Sequence, residues 1–420
     1  MTVIGFLLYI NTEKNMAKVA MNASHDKACR ANKRILALDV LRGITIAGMI
    51  LVNNPGSWEH IYAPLRHAVW NGLTPTDLVF PFFMFIMGIS TYISLQKYGF
   101  AFSRAVAWKI VQRTVVIFLI GIAIDWFLRF CYYWPGPAGM NFGERLWDAV
   151  CTFDSIRIPG VMQRLAVCYG ITAFMALVVR HRCIPWVVAG LLVGYFLLLM
   201  GGNGFAYNET NVLSVVDRAV FTPAHIYKDN GIDPEGLLST IPAVAHVLLG
   251  FYAGRMMLAG NGDAQQDRES LLQSHLIKLF LLGTILAFSG WLLSYACPLN
   301  KKIWSPTFVL VTCGLASSLL ALLIWLIDVK GYKRWSRFFE VFGVNPLFMY
   351  VLGDLLGILF GCIRFPWEGG SISLYGFLYG VCLQPWLGDT GGSLAYALLF
   401  VVVNWCIGYQ LYKRKIYIKI

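Results

Sequence analysis

The sequence predicts an all-α integral membrane protein, a polytopic bundle of about ten transmembrane helices. Of its 420 residues, 58% are hydrophobic and 13% are charged, whereas a soluble domain has roughly 45–50% apolar and about 25% charged residues. The apolar residues form runs of about 20, the length that an α-helix needs to cross a bilayer. Alternate connections between these runs are basic, which is typical of cytoplasmic loops. Together these observations exclude an ordinary soluble fold.

A polar lead precedes the first apolar run. We expect residues 1–34 to be a disordered cytoplasmic lead, since they end in the basic group Lys27, Arg30, Lys33 and Arg34. Residues 35–420 then form a single transmembrane domain, because no linker or fixed-period repeat marks a second one. The predicted spans are about Ile35–Val52, Leu78–Leu95, Ile110–Leu128, Gly160–Val179, Ile184–Met200, Leu237–Met257, Leu276–Ala296, Ile303–Ile327, Phe338–Phe360 and Ser393–Tyr412.

Loop charges orient the bundle. With this set of spans, the basic connections and the tail Lys413-Arg414-Lys415 lie on one side, so both termini are predicted to be cytoplasmic. Lys301 and Lys302 are the basic pair that breaks the rule, because they fall in an outer connection. The apolar segment Leu374–Trp386 is either an eleventh span or an interfacial or re-entrant element on the outer face, and its short length favours the second.

The stretch from Arg66 to Gly88 combines a histidine, an amide and a helix start. Thr74 is a candidate N-cap, Pro75 occupies the first helical position and Asp77 lies three residues past the cap. His67 and Asn71 precede this start in a short polar connection. A side chain that titrates near neutrality therefore stands where a hydrophobic helix enters the membrane.

Several function classes lose support. The formal charge of +12 could indicate nucleic-acid binding, but the basic residues lie in short clusters between apolar runs, so nucleic acid is not an expected partner. The ten cysteines contain no C-x-x-C pair, and His60 and His67 lack a third ligand at metal-like spacing, so we expect no metal site. Hydrolase, dinucleotide and ATPase motifs are also absent.

Charged residues near span ends are further candidates. Asp39 and Arg42 can form an ion pair on one helix face. Arg157 and Arg164 flank the start of a span, where arginines bind phosphates or carboxylates, or anchor to lipid headgroups.

Six blocks of the chain resemble a known family, and they occur in the family's order. These blocks are LDVLRG (38–43), HAVWNGLTPTDLVFPFFMFIMG (67–88), RIPGVMQRL (157–165), DPEGLLSTI (233–241), LNKKIWSPTFVL (299–310) and LYKRKIYIKI (411–420). They are similar to the heparan-alpha-glucosaminide N-acetyltransferases, and the match corresponds to a short bacterial form in a cytoplasmic membrane.

The resemblance implies transfer of an acetyl group from cytosolic acetyl-CoA, as co-substrate, to the amino group of a glucosamine-type sugar across the membrane. It places the catalytic histidine at His67 and a family asparagine at Asn53. Transfer through an acetyl-histidine and direct transfer in a ternary complex both stay open.

The residues are consistent with this chemistry. His67 can act as general base or nucleophile, Asn53 or Asn71 can donate an N–H to the thioester oxygen, and Asp77 can orient the imidazole. Candidates for binding CoA phosphates are Arg42, Arg113, Arg157 and Arg164.

The acceptor is not named by the sequence. Where the family has a His-Glu pair, this chain has Gly353-Asp354. Free glucosamine, cell-wall or capsule sugars and glycosaminoglycan fragments therefore all remain acceptors to consider. Membrane lipid and a second copy in a homodimer are further expected partners, and a secondary transporter for amino sugars or N-acetylated sugars is the alternative function.

Overall fold

The computed structural model describes residues 35–135, 139–227, 229–258 and 268–418. The lead 1–34, predicted to be disordered, lies outside the described residues. Residues 37–420 form one compact unit. The helices are α1 Leu36–Asn53, α2 Pro75–Gln96, α3 Arg104–Tyr133, α4 Phe142–Val150, α5 Val161–Val178, α6 Ile184–Gly201, α7 Val212–Phe221, α8 Thr240–Leu258, α9 Arg268–Leu293, α10 Pro306–Ile324, α11 Ser336–Val344, α12 Pro346–Cys362, α13 Leu374–Gly376 and α14 Gln384–Lys413.

The predicted helical membrane bundle is confirmed. Within the described residues, nine helical segments are long and apolar enough to cross a membrane, and the bent pair α11–α12 brings the number to ten. The strands of the described residues are β1 Arg364–Trp367 and β2 Gly370–Ser373, which pair antiparallel as a short hairpin. The protein is therefore an integral membrane protein whose core consists of helices.

Helices α2 and α8 pack closely at the centre of the bundle. A Cβ added at Gly88 would lie 2.1 Å from the Val247 carbonyl oxygen, and one at Gly250 would lie 2.1 Å from the Phe85 carbonyl oxygen. Small residues let two helix backbones approach in this way, which compensates for the weak hydrophobic driving force inside lipid. This contact fixes α2, the helix whose first turn carries Asp77.

The predicted span Phe338–Phe360 is broken in the structure. Helices α11 and α12 meet at an angle of 87°. The break falls at Asn345-Pro346, where proline has no N–H to continue the helix. The side chain of Asn345 binds the C-terminal segment instead, donating to the Ile416 carbonyl (2.8 Å) and accepting from the Ile418 N–H (2.9 Å).

The segment Leu374–Trp386 is helical and continues into the last span. A π-helical stretch, Phe377–Leu383, follows α13 and packs against α14. Gly388, with φ of 71°, interrupts the helix and lets the chain turn back. A left-handed φ of this kind is readily adopted by glycine. The segment therefore joins the tenth span, and its predicted position at the outer membrane surface stays a prediction.

Candidate active site

His67 and Asp77 form a hydrogen-bonded dyad at the start of α2. The His67 Nδ1 and Asp77 Oδ1 atoms are 2.7 Å apart. The His67 side chain is 45% exposed, whereas that of Asp77 is 1% exposed. A buried carboxylate thus holds one ring nitrogen, and the other, Nε2, is on the side of the ring away from this contact.

The Asp77 carboxylate is fixed by the helix start itself. Thr74 is the N-cap of α2 and Asp77 is its third residue, as predicted from the sequence. The second carboxylate oxygen, Oδ2, accepts from the Thr74 N–H (3.2 Å), the Thr74 hydroxyl (2.9 Å) and the Ala68 N–H (3.1 Å). Asp77 therefore caps its own helix with Oδ2 and binds His67 with Oδ1.

Lys301 completes the cluster from the loop before α10. Its Nζ lies 3.1 Å from His67 Nδ1 and 3.4 Å from Asp77 Oδ1. Burial lowers the pKa of Lys301, and the negative charges of Asp77 and Glu235 offset part of that effect. The Lys301 ammonium thereby balances the charge of the buried Asp77 carboxylate.

Two loops are fastened together around the dyad. Asn300 donates its side-chain N–H to the Asn71 side-chain oxygen (3.2 Å), and the Gly72 N–H donates to the Leu299 carbonyl (2.8 Å). Asn71 is itself exposed. These bonds hold the loop carrying His67 against the loop carrying Lys301.

An aromatic and charged stack reinforces this contact. Trp70 stacks on Tyr207 with ring centroids 4.5 Å apart, and the Lys302 ammonium lies 4.5 Å from the Tyr207 centroid. Lys302 also pairs with Asp229 at 2.5 Å. Lys302 also donates to the Tyr207 hydroxyl (2.8 Å), so the Tyr207 side chain is held by Trp70 and Lys302 together.

Arg157 forms a second charged cluster at the same end of the bundle. It binds Asp233 (2.5 Å) and Glu235 (2.6 Å) and lies 4.8 Å from the Tyr227 ring centroid. Burial acts to raise the pKa of Glu235, but Arg157 and Arg164 outweigh it, so the pKa is lowered. Lys301 contributes to the same lowering, which links this cluster electrostatically to the dyad.

Arg164 is buried on α5. It donates to the Gly236 carbonyl (3.0 Å) and to the Ser239 hydroxyl, and its guanidinium lies 5.2 Å from the Trp304 ring centroid.

The other sequence candidates make contacts of their own. Arg42, on α1, pairs with Asp39 (2.9 Å), as predicted, and donates to Ser90 (2.8 Å). Arg113, on α3, lies 4.7 Å from the Tyr169 ring centroid. Asn53 is the exposed last residue of α1, and within the described residues no hydrogen bond joins it to His67. Hydrogen bonds and ion pairs thus connect His67, Asp77, Lys301 and the Asn71 loop, and the roles expected of Asn53, Arg42 and Arg113 stay predictions.

Sequence reasoning did not assign Lys301 to the site. Its contact with His67 joins residues 234 positions apart, which no local pattern predicts. One signal was present, because Lys301 and Lys302 break the positive-inside pattern and so needed a reason to lie on the outer side. Over the part of the chain that is described, no group of three or more His, Cys, Asp or Glu side chains is arranged to hold a metal ion.

Comparison with known proteins identifies relatives. A family model described as "Heparan-alpha-glucosaminide N-acetyltransferase, catalytic" matches residues 34–284. The human heparan-alpha-glucosaminide N-acetyltransferase is 29% identical over 378 residues, which cover 76% of this chain and 52% of the human protein. The mouse protein of the same name is 26% identical over 451 residues, covering 92% of this chain and 60% of the relative. The chain thus spans between half and two thirds of the length of the curated relatives it matches.

Proposed function

Because the chain belongs to the heparan-alpha-glucosaminide N-acetyltransferase catalytic family, we propose that it is a transmembrane acetyltransferase. The proposed reaction transfers the acetyl group of cytosolic acetyl-CoA to the amino group of a glucosamine-type sugar on the outer face. The observation that carries the proposal is the dyad, a half-exposed imidazole 2.7 Å from a buried carboxylate. The names of the human and mouse relatives supply the substrate class.

Asp77 selects the His67 tautomer that the chemistry needs. The Nδ1–H of His67 donates to Asp77 Oδ1, so the lone pair of the neutral ring lies on Nε2. An imidazole in this tautomer can take a proton from the acceptor at Nε2. Lys301 keeps the charge of the cluster balanced until that proton arrives.

The proposed transfer conserves atoms and charge. Once the sugar ammonium has lost its first proton to bulk water, the amine lone pair attacks the thioester carbon, a C–N bond forms and the carbonyl oxygen becomes an oxyanion. The oxyanion collapses, the C–S bond breaks and its electron pair leaves with sulfur as the CoA thiolate. His67 Nε2 takes the second amine proton and returns it to the thiolate. In a relay, Nε2 itself attacks first and carries the acetyl group, and the same Asp77 contact supports both routes.

The four arginines that are candidates for binding CoA phosphates separate into two groups along the bundle. Arg42 and Arg113 lie in the first halves of α1 and α3, the ends predicted to face the cytoplasm, whereas Arg157 and Arg164 lie at the end that carries His67. CoA phosphates entering from the cytosol would meet the first group. The Arg157 guanidinium is already held by Asp233 and Glu235, so we assign it to shaping the acceptor side. Asn71, whose side-chain oxygen is held by Asn300, has its N–H groups available for the acetyl oxygen or the acceptor.

A transporter is the competing function, and the broken pair α11–α12 is the feature that favours it, since transporters bind substrate at interrupted helices. However, the break is bonded to the C-terminal segment at Ile416 and Ile418. The Asn345 side chain at the interruption is therefore already bonded within the protein, whereas a transporter needs such groups for its substrate. The transferase proposal is therefore preferred.

The decisive experiment measures transfer from acetyl-labelled acetyl-CoA to glucosamine by the purified full chain. We expect transfer by the wild type and a loss of about 10²–10⁴-fold for His67→Ala. His60→Ala, in the same loop but outside the dyad, is the matched control and should keep wild-type activity. If the wild type transfers acetyl to no amino sugar while proteoliposomes accumulate sugar, the transporter replaces this proposal. If His67→Ala folds and keeps full activity, the site assignment is wrong.

A further inference from the structure

Three buried polar side chains from separate elements meet beneath the dyad. Arg164 comes from α5, Trp304 from the loop before α10 and His246 from α8, and their residues are 3%, 1% and 0% exposed. The Arg164 guanidinium lies 5.2 Å from the Trp304 ring centroid, and the His246 and Trp304 ring centroids are 5.8 Å apart. We refer to these three residues as the inner polar cluster.

The inner polar cluster contains nitrogen atoms without partners. Arg164 Nε and Nη1, Trp304 Nε1 and both ring nitrogens of His246 are fully buried and make no hydrogen bond to the described residues. The His246 ring approaches the Pro81 carbonyl without completing a bond to it. A buried polar group without a hydrogen-bond partner destabilises the folded protein. Several such groups side by side indicate a position where a ligand or water supplies the missing bonds.

The chemistry of the cluster specifies what it can bind. Arginine and the tryptophan indole only donate hydrogen bonds, and a neutral histidine offers one donor and one acceptor. The missing partner is therefore an oxygen acceptor. The positive charge of Arg164 favours an oxygen that carries, or develops, negative charge.

The cluster lies about one helical turn below the dyad. The backbone N–H of Trp304 donates to the Lys301 carbonyl (3.0 Å), so Trp304 closes the turn that brings Lys301 to His67. Phe80, three residues after Asp77 on α2, has its ring centroid 5.5 Å from that of Trp304. Three residues of an α-helix advance by roughly 4.5 Å. The Trp304 ring is therefore separated from Asp77 by about one turn of α2.

Trp304 is held in a costly backbone conformation. Its φ is 51°, in the left-handed region, although the residue is large and almost fully buried. A bulky residue at positive φ costs free energy and persists only where the surrounding structure imposes it. The turn thereby holds the indole close to both Arg164 and His246.

We propose that the inner polar cluster binds the carbonyl oxygen of the acyl thioester and stabilises the oxyanion formed from it. The proposal rests on the acetyltransferase function. As the C–N bond forms, the carbonyl π-electron pair moves onto oxygen, where Trp304 Nε1–H and Arg164 donate to it. The pair returns to carbon when the C–S bond breaks. Buried donors stabilise such charge far more than the exposed Asn71 amide can, because water competes weakly there.

The test compares two unreactive CoA thioethers of the same length, S-acetonyl-CoA, which has a ketone, and S-propyl-CoA, which has none. Isothermal titration of the purified full chain measures the dissociation constant of each. The wild type should bind the ketone about 10–100-fold more tightly, as one or two buried hydrogen bonds imply. Trp304→Phe keeps an aromatic ring but removes the N–H, and should reduce this preference at least severalfold while binding S-propyl-CoA normally.

A control variant and an infrared measurement test whether the preference for the ketone comes from the Trp304 N–H. Trp126→Phe removes an indole N–H that binds the Val150 carbonyl elsewhere, and should keep the wild-type preference. Infrared spectra of S-acetonyl-CoA labelled with ¹³C at the ketone should show a lower carbonyl frequency when it is bound to the wild type than when it is bound to Trp304→Phe. Equal affinities of the wild type for both thioethers, or an unchanged preference in Trp304→Phe, would mean that water alone fills the cluster and would overturn the inference. Acetyl transfer by that same wild type would leave the proposed function standing, whereas failure to bind either thioether would remove both.

Discussion

Replacing Asp77 with asparagine should inactivate the protein by reversing the His67 tautomer. Asp77 Oδ2 accepts three hydrogen bonds, from the Thr74 N–H, the Thr74 hydroxyl and the Ala68 N–H. In Asp77→Asn these donors require the amide oxygen at that position, which places the amide NH₂ at the Oδ1 position. The NH₂ then donates to His67 Nδ1, so the ring proton moves to Nε2 and the base is lost.

The expected loss of activity follows from this reversal of the His67 tautomer. In serine proteases, replacing the carboxylate that orients the catalytic histidine by an amide lowers the catalytic rate about 10⁴-fold, because the histidine adopts the wrong tautomer. We expect the rate of acetyl transfer to fall by about 10³–10⁴-fold in Asp77→Asn. The free energy of unfolding should fall by only about 1–2 kcal/mol, because the three bonds to the cap position keep an oxygen acceptor. Thermal unfolding and acetyl transfer, measured on one preparation, separate the two effects.

Thr74→Ala is the matched control for this prediction. It removes one bond to Oδ2 and weakens the cap by about 1 kcal/mol, but it leaves the contact between His67 and Oδ1 intact. Its activity should stay within about tenfold of the wild type. Our tautomer argument fails if Asp77→Asn retains activity similar to Thr74→Ala, or if both lose activity in proportion to their loss of stability.

Three other changes test separate parts of the structure. Lys301→Met leaves the buried Asp77 carboxylate without its balancing charge, which favours a protonated His67 imidazole. The acid limb of the pH–activity profile should therefore move up by about one pH unit, and Lys301→Arg should return it to the wild-type position. An unmoved acid limb in Lys301→Met contradicts the charge-balancing role of Lys301. Burial raises the pKa of Asp217 to about 6, and a carboxyl with a raised pKa contributes stability at low pH that is lost as pH rises through 6. Asp217→Asn should therefore be more stable than the wild type at pH 7.5 by roughly 2–3 kcal/mol but not at pH 4, and thermal unfolding at the two pH values checks this. Gly250→Ala forces a methyl group against the Phe85 carbonyl and should lower the free energy of unfolding by about 1–3 kcal/mol. Gly190→Ala is the control, because the space around its Cβ position is open, and its stability should not change. Equal melting temperatures of the two variants would contradict the close α2–α8 packing.

The fold could be predicted from sequence because the membrane imposes simple rules. A helix that crosses lipid must satisfy its own backbone hydrogen bonds, so a run of about 20 apolar residues is sufficient to predict it. The start of α2 was equally predictable, since Thr74, Pro75 and Asp77 are each favoured by local backbone chemistry at their positions. The 87° break before α12 was less accessible, because hydropathy continues across Asn345-Pro346 and proline is tolerated in membrane helices.

Only part of the candidate site could be predicted from the sequence, because some of its residues are far apart along the chain. His67 and Asp77 are ten residues apart and share one helix start, so local reasoning paired them correctly. Lys301, Trp304 and His246 reach the same region through packing between α2, α8 and the loop before α10, and no periodicity encodes that approach. A charged residue in a position that topology disfavours was the one sequence signal for Lys301.

His67 is half exposed and Asp77 is buried, and this difference explains why the dyad lies at a helix start. The base of the proposed reaction must reach the aqueous side, and 45% of the His67 side chain is exposed. The group that orients it must keep one geometry, and Asp77 is almost fully buried, with its second oxygen held by Thr74 and Ala68. The start of α2 supplies both conditions, because the N-cap Thr74 and the preceding loop at Ala68 hold the carboxylate at the polar end of an apolar helix. Moving the dyad one turn deeper would place His67 where water cannot reach, and moving it one turn outward would leave Asp77 without the N–H groups that hold it.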